Sequence, residues 1–459
     1  MGGILDILHL GSNGIGAARR GMHVTGENIT NVNTPGYHRR EVLMEPAPPI
    51  QRNMLGAGVR AAHVQRVVDR SLDGRVRDAN SQQNFDAANS SILSRTDAYF
   101  QDFENVGVLP SLDQLLNSFD MLATAPHQTS YRQEVLHSAT ELVNQLNLKG
   151  FELRTTQESL NGEISSEVGK INDLLVSLSD VNNKIETQGG VPNNLFDRQS
   201  QLLDELSGHV GIKVFEQANG TVEVHTSSGF ALLIGDTAKQ LNVVPDLNGH
   251  FQVMGTDGGG THNLSTQISG GSLGGVLQAR NVDIQDAIDR LDTFTVDFAT
   301  TVNGIHSAGY GLDGVTGRNF FDFTAGAGAA EGINVSADIL GNPGAVAAAS
   351  SNVLLPGDNT NALQLSDLRN TALVGTETAV ENLRNVLSDF GARVYESAQK
   401  AVGSASAHTS IAEVQQSISG VSMDEEMVNL LSFQQQFSAA AQVVRAVDEI
   451  LSEVIALKR

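Results

Sequence analysis

Cysteine and tryptophan are absent from this 459-residue chain, and aromatic residues make up only 5% of it. The absence of Cys excludes disulfides, thiolate metal sites and Cys nucleophiles, and it favours an exported or assembled protein. Positive charge is also scarce: 29 Lys and Arg stand against 52 Asp and Glu, for a net charge of -23. An acidic protein repels nucleic acid and anionic membrane surfaces, so we expect neither as a partner.

Long apolar runs are missing as well. No stretch approaches 18 apolar residues, so no segment is predicted to span a membrane. Residues 1–10 (MGGILDILHL) lack a basic n-region, and Asp6 and His9 interrupt the apolar run. We therefore expect no cleavable secretory signal, and any export would use another route.

Catalytic motifs are incomplete. The Gly-rich stretches GSNGIG (11–16) and GGG (258–260) lack the strand–loop–helix context of a phosphate cradle. The stretch GGSLG (270–274) matches G-x-S-x-G around Ser272, but the residues before it are too polar for the buried strand of a nucleophile elbow. The His residues show no metal-ligand spacing. We predict no catalytic residue, no cofactor and no metal ligand.

Heptad patterns occur near both ends of the sequence. Apolar residues separated by alternating steps of three and four predict two helices that pair as a coiled coil. Two ordinary amphipathic helices of a globular core are the alternative. The predicted seam consists of Ile4, Leu8, Ile15, Ala18, Met22, Ile29 and Val32 in the first helix, and of Leu430, Phe433, Phe437, Ala440, Val444, Val447, Leu451 and Val454 in the second.

The first of these helices is rich in glycine, with Gly11, Gly14, Gly16, Gly21 and Gly26 inside it. Each costs about 0.5–1 kcal/mol of helix propensity relative to Ala, or roughly 3–5 kcal/mol together. Because isolated helices are marginal in water, this helix needs a partner packed against it.

Further helices are predicted over 131–160, 164–185, 195–206, 273–305 and 376–401, from apolar stripes of helical period. Alternating apolar and polar residues around Asn219-Gly220 predict a β-hairpin, and Asn248-Gly249 and Asp257-Gly258 predict further turns.

The predicted fold is mainly α with a β-rich insertion. A terminal coiled-coil domain is formed by 1–40 with 415–459. A helical-bundle middle domain is formed by 41–210 with 271–305 and 356–414. An outer β-rich domain is formed by 211–270 with 306–355, whose strands are expected to lie together.

The stretch NITNVNTPGYHRR (28–40) ends the first helix abruptly. Pro35 fixes its own φ and pushes Thr34 into extended conformation, and Gly36 can adopt positive φ, so a type II turn is predicted. The chain after this turn holds several arginines, which we expect to pair with acidic residues of a neighbouring subunit: Arg39, Arg40, Arg52, Arg60 and Arg66.

This stretch resembles the signature near the start of the bacterial flagellar axial family of rod, hook and hook-associated proteins. The residues that carry the resemblance are Asn28, Asn31, Asn33, Thr34, Pro35, Gly36 and Tyr37. Segments 191–225, 356–370 and 419–457 are similar to the hook-associated branch that forms the hook–filament junction. Two departures occur, since Glu27 stands where an Asn pair usually begins, and the usual GYSRQ is GYHRR here.

The resemblance implies a structural protein that is exported unfolded through the flagellar type III apparatus and is located in the extracellular flagellum. Its terminal helices would order as copies assemble into a ring. The implied partners are other copies of the chain, the hook protein, the second junction protein and an export chaperone. A hook or rod protein is the alternative within the family, and a displayed adhesin or enzyme domain is the alternative outside it.

Overall fold

A computed structural model describes residues 2–34, 36–48, 57–102, 106–188 and 193–456. Its α-helices are α1 (Gly2–Thr30), α2 (Arg70–Phe100), α3 (Val108–Thr124), α4 (Thr129–Gln188), α5 (Asn193–His209), α6 (Gly271–Gln278), α7 (Gln285–Ala308), α8 (Ala329–Gly332), α9 (Thr360–Ser366), α10 (Ala379–Ser419) and α11 (Met423–Ala456). Among the helices of these ranges, none combines the length and hydropathy needed to cross a bilayer.

The strands are short and antiparallel. They are β1 (Arg40–Pro46), β2 (Val59–Arg66), β3 (Ile212–Glu216), β4 (Val222–Thr226), β5 (Ala231–Ile234), β6 (Thr237–Ala238), β7 (Leu241–Pro245), β8 (Phe251–Asp257), β9 (Gly260–Asn263), β10 (Phe321–Asp322), β11 (Asn334–Val335), β12 (Ala372–Val374) and β13 (Glu377–Thr378). The predicted fold class, mainly α with a β-rich insertion, is confirmed.

Helices α1 and α11 pair antiparallel at small residues of α1. A Cβ on Gly11 would lie 2.7 Å from Val444 Cγ2, and a Cβ on Gly21 would lie 2.6 Å from the Phe433 ring. Only a missing side chain permits this approach, so the glycines that weaken α1 as an isolated helix also allow the pairing. The predicted seam positions that are buried or half-buried are Ile4, Leu8, Ile15, Ala18, Met22, Ile29, Leu430, Phe433, Ala440, Val444, Val447 and Leu451.

Three seam positions differ from the prediction. Val32 lies beyond α1, because Asn31 closes the helix by donating to the Glu27 carbonyl from both its backbone and its side chain. Val454 is 41% exposed because it lies level with the beginning of α1. Phe437 is 36% exposed because small side chains at its level of α1 cover only part of its ring.

Helix α4 is a single helix of 60 residues, whereas the sequence predicted two. Gly162 in the expected break costs only about 1 kcal/mol. Leu160 and Ile164, one turn apart, are 1% and 0% exposed in the same core, so burial carries the helix through.

Helix α10 also extends past its predicted end. A capping box formed by Thr378 and Glu381 begins it, and it continues to Ser419. Its partner is α2, with the Phe100 and Phe390 ring centroids 4.8 Å apart at one end. At the other end Gln415 donates to Asp73. The predicted boundary at 415 therefore falls inside a helix, and the break comes at 420–422.

The β-rich insertion contains two small sheets. One has the order β3-β4-β5-β6 and the other has the order β7-β8-β9. The predicted hairpin at Asn219-Gly220 is confirmed, with Val214 opposite Val224 and Gly220 at φ +86°. The turn at Asn248-Gly249 joins β7 to β8.

The prediction that strands of 306–355 lie with those of 211–270 is wrong for the described strands. β10 and β11 pair only with each other. Asn303 of α7 and Asn147 of α4 donate to backbone carbonyls of this region, which holds it on the helical bundle. Its residues 345–349 are buried Ala and Val, which pack as bundle core rather than as a pleated surface.

Candidate assembly site

The turn after α1 is closed by its own side chains. Asn28 is 1% exposed, and its Oδ1 accepts from the Tyr37 hydroxyl at 2.9 Å and from the Arg40 backbone N–H at 3.0 Å. Its Nδ2 donates back to the Arg40 carbonyl at 2.9 Å. One buried amide thus satisfies groups at both ends of the turn and fixes the direction of β1.

The predicted β-turn is present around residues 34–37. Tyr37 N–H donates to the Thr34 carbonyl at 3.2 Å, and Gly36 has φ +74°, as the third position of a type II turn requires. Asn31 Oδ1 accepts from the Thr34 hydroxyl at 3.2 Å. Asn33 is exposed, and Pro35 lies outside the described residues.

Asp197 of α5 is the centre of an ionic cluster that anchors this turn. Its carboxylate lies 3.3 Å from His38 Nδ1, 3.1 Å from Arg40 Nη2 and 2.9 Å from Arg66 Nε. Burial alone would raise the pKa of Asp197, but the hydrogen bond with His38 and the charges of Arg66 and Arg40 hold it below its usual value. We call this set, Asp197 with His38, Arg40 and Arg66, the Asp197 cluster.

A second contact joins the turn to the α10–α11 junction. Arg39 lies 3.0 Å from Glu425 and 3.2 Å from Glu426, and its backbone N–H donates to the Ser419 carbonyl at 3.0 Å. Tyr37 packs under the Arg40 guanidinium at 4.9 Å, and burial raises the pKa of Tyr37 to about 12. The turn therefore connects α1, the β1–β2 hairpin, α5 and the junction before α11.

The pairing of these arginines with a neighbouring subunit stays a prediction, and those that the structure describes already have partners within their own chain. Arg39, Arg40 and Arg66 bind carboxylates of their own chain, and Arg60 lies 2.5 Å from Glu45 on the paired strand. Arg52 lies outside the described residues.

Sequence reasoning missed Asp197 and Glu426. The available signal was the departure from the family pattern at 38 and 40. Both changes introduce a basic side chain, and both new side chains bind Asp197. Two added basic side chains imply a carboxylate near both of them, although the sequence does not indicate which one.

Ser272 has an acid and a histidine beside it, which the sequence did not reveal. Its hydroxyl donates to Glu167, and His209 Nδ1 lies 2.7 Å from Glu167 and 3.4 Å from Ser272 Oγ. A catalytic triad uses opposite nitrogens of the imidazole for the acid and the serine. Here both contacts use Nδ1, and the preceding strand, β9, ends at Asn263. The cluster therefore fastens α6 to α4 and α5.

The other Gly-rich stretches lie in helix and turn. Residues 11–16 are inside α1, and residues 258 and 259 join β8 to β9, which begins at Gly260. Within the described ranges, no group of three or more His, Asp or Glu side chains has the arrangement of a metal site.

Comparisons with known proteins match most of the chain to flagellar proteins. Residues 93–321 match the family model described as flagellar hook-associated protein FlgK helical domain, and residues 415–457 match flagellar basal body rod FlgEFG protein C-terminal. Flagellar hook-associated protein 1 of Bacillus subtilis is 27% identical over 490 residues, covering 96% of each chain. The protein of that name from Escherichia coli is 25% identical, covering 99% of this chain and 100% of that one.

A solved structure shares the fold. The flagellar hook junction protein FlgK of Burkholderia pseudomallei superposes with a TM-score of 0.68 at 16% identity, covering 75% of this chain and all of that chain.

Proposed function

Because this chain belongs to the flagellar hook-associated protein 1 family, we propose that it joins the hook to the filament in the bacterial flagellum. Membership in the family gives it a structural role in the flagellar axis. The proposed location is the hook–filament junction outside the cell, where copies of the chain form a ring. The proposed partners are the hook protein below and the second junction protein above.

The observation that carries this proposal is the incomplete burial of the α1–α11 pair. Apolar side chains project from both helices away from their common seam. They are Leu5 (50% exposed), Ile7 (46%), Leu10 (41%), Met427 (54%), Val428 (67%), Leu431 (56%) and Ile450 (47%). Leu5, Ile7, Leu10 and Ile450 lie at one end of the pair and the others lie at the opposite end, and neighbouring copies in a ring would cover both groups.

The proposed mechanism is folding on assembly. The seam of α1 and α11 is narrow, α1 is rich in glycine, and most α11 side chains remain exposed. Since isolated helices are marginal in water, we propose that the pair orders fully only when neighbouring copies bury its outer faces. The chain would be exported unfolded with a flagellar chaperone and would acquire these contacts at the growing tip.

Deletion of the gene, followed by electron microscopy, tests the proposed role. The expected result is hooks without filaments and filament protein shed into the medium, with both restored by the intact gene. Normal filaments on the deletion strain would overturn the proposal. As an enzyme control, the purified chain should show no turnover of protease, ester or glycan substrates that is lost on Ser272→Ala.

Limited proteolysis tests folding on assembly separately. In the free chain, cleavage should occur first within residues 1–40 and 420–459, while α4 stays intact because its apolar face is buried in the core. Equal resistance of the terminal helices and α4 would contradict folding on assembly without affecting the proposed location.

A further inference from the structure

A groove lies between α1 and the β1–β2 hairpin. It has a volume of about 710 Å³, and its lining includes Ser12, Gly16, Arg19, Arg20, Arg60 and Val64. A Cβ on Gly16 would meet nothing within 4 Å, so this wall is open. The groove uses a face of α1 different from the face against α11, and the volume suits a few side chains of a partner.

The charge of this α1–hairpin groove is positive. Glu27 is the acidic residue in its lining, against four arginines. Arg40 and Arg60 are paired with carboxylates of their own chain. Arg19 and Arg20 are exposed, and in the described part of the chain neither lies within 4 Å of a carboxylate.

A complementary stripe occurs on the last turns of α11. Glu449, Ile450, Glu453 and Val454 follow the i, i+1, i+4, i+5 pattern that places residues on one helix face. All four are exposed, and Ile450 and Val454 are 47% and 41% exposed. Neither carboxylate pairs with a cation among the residues that the structure describes. The stripe therefore complements the groove: its carboxylates match the basic lining, and its apolar side chains match the apolar wall at Val64.

Stripe and groove cannot meet within one molecule. Gly11 lies level with Val444 and Gly21 with Phe433, so Arg20 lies level with about residue 434 of α11. Glu449 is about 15 residues further along, a distance of roughly 20 Å at 1.5 Å per residue. The partner must therefore come from a second molecule.

We propose that the end of α11 of a second copy of this chain docks in the α1–hairpin groove. Ile450 and Val454 face its apolar wall, and Glu449 and Glu453 face Arg19 and Arg20. Charges of this exposed kind select partner and register more than they add affinity. They fix a displacement of about 20 Å between neighbouring copies, measured along the axis of α11. This inference rests on the proposed function, because the assembled ring supplies the second copy.

Disulfide cross-linking in flagella tests the contact, since the chain has no native Cys. The variant Arg20→Cys/Glu449→Cys is expressed in the deletion strain, and isolated flagella are oxidised and run on a non-reducing gel. Dimers and longer ladders are expected. The matched control is Arg20→Cys/Glu413→Cys, in which Glu413 is an exposed residue of α10, and it should stay monomeric. Flagella that carry filaments but give no dimer, or equal dimer in the control, would overturn the inference.

A charge exchange gives a second readout. Arg19→Glu/Arg20→Glu should reduce motility at least tenfold in swarm rate, and adding Glu449→Arg/Glu453→Arg should restore it. If the variant with all four substitutions swarms no faster than the Arg19→Glu/Arg20→Glu variant, the result counts against the contact. Failure of the unaltered chain to restore filaments is a different outcome, because it refutes the proposed function itself.

Discussion

Replacing Gly21 by Ala tests the close contact between α1 and α11. The added Cβ would lie 2.6 Å from Cδ1 and Cε1 of Phe433. Carbon atoms pack at about 3.5–4.0 Å, so the helices must separate by about 1 Å or the ring must turn outward. Such overpacking costs about 1–3 kcal/mol, and Ala returns about 0.5–1 kcal/mol of helix propensity. The expected net loss is therefore up to about 2.5 kcal/mol, with a midpoint of about 1 kcal/mol.

Gly26→Ala is the matched control within the same helix. A Cβ there meets nothing within 4 Å, so only the gain in propensity of about 0.5–1 kcal/mol remains. The assay is the temperature at which filaments detach from cells of the deletion strain that express each variant. Detachment should occur at lower temperature for Gly21→Ala, and at the same or higher temperature for Gly26→Ala.

The double variant Gly21→Ala/Phe433→Leu separates a steric effect from a general one. Leu is smaller than Phe and lacks its rigid ring, so part of the lost stability should return when both changes are combined. If Gly21→Ala behaves like Gly26→Ala, or if Phe433→Leu only adds to the loss, the close packing of these helices is not as described.

Three further outcomes are expected. Asp197→Asn leaves Arg40 and Arg66 without their common carboxylate, and a loss of about 3 kcal/mol should show as faster protease cleavage within 40–66; unchanged cleavage would contradict the anchoring role. Lys149→Met should lower the free energy of unfolding by a similar amount, measured as a lower melting temperature. The reason is that Lys149 pairs with Asp102 and caps the carbonyls that end α2. Burial would raise the pKa of Glu167, but hydrogen bonds from His209, Lys170 and Ser272 lower it to about 2 from 4.5. The resulting stability, up to about 3 kcal/mol, is present above pH 4.5 and lost as the pH falls toward 2, and denaturant titrations of Glu167→Gln should lack this pH dependence.

Local patterns predicted the local structure well. The heptad spacing predicted helices near both ends of the chain, and α1 and α11 are present there; the residue-by-residue seam stays a prediction. Asn219-Gly220 and Gly36 marked turns, because each needs a backbone conformation that glycine adopts without strain. Helix ends were predicted less well, since burial carried α4 past its expected break and α10 continues to Ser419 although most of its side chains after residue 401 are exposed.

Pairing between distant residues was not predictable from one sequence. His38 and Asp197 are separated by 159 positions, and Arg39 and Glu425 by 386. A buried basic side chain needs a carboxylate partner, but the chain holds 52 Asp and Glu residues, and the sequence does not show which of them is close in space. For that reason the sequence could not show that Arg39, Arg40 and Arg66 bind carboxylates of their own chain.

The same limit applies to Ser272. The sequence could not show that Glu167 and His209 come to it, nor that both contacts use one ring nitrogen. Which atoms meet decides between a reactive serine and a structural one, and that information exists only in the folded chain.

The convergence on Asp197 has a mechanical consequence. Bonds that open one after another under tension yield at the strength of a single bond, as a peeled hairpin does. Arg40 of β1 and Arg66 of β2 share one carboxylate of α5, so the hairpin cannot leave α5 one strand at a time without leaving a buried charge unpaired. In the proposed junction, this cluster would hold the terminal helices and α5 at a fixed angle.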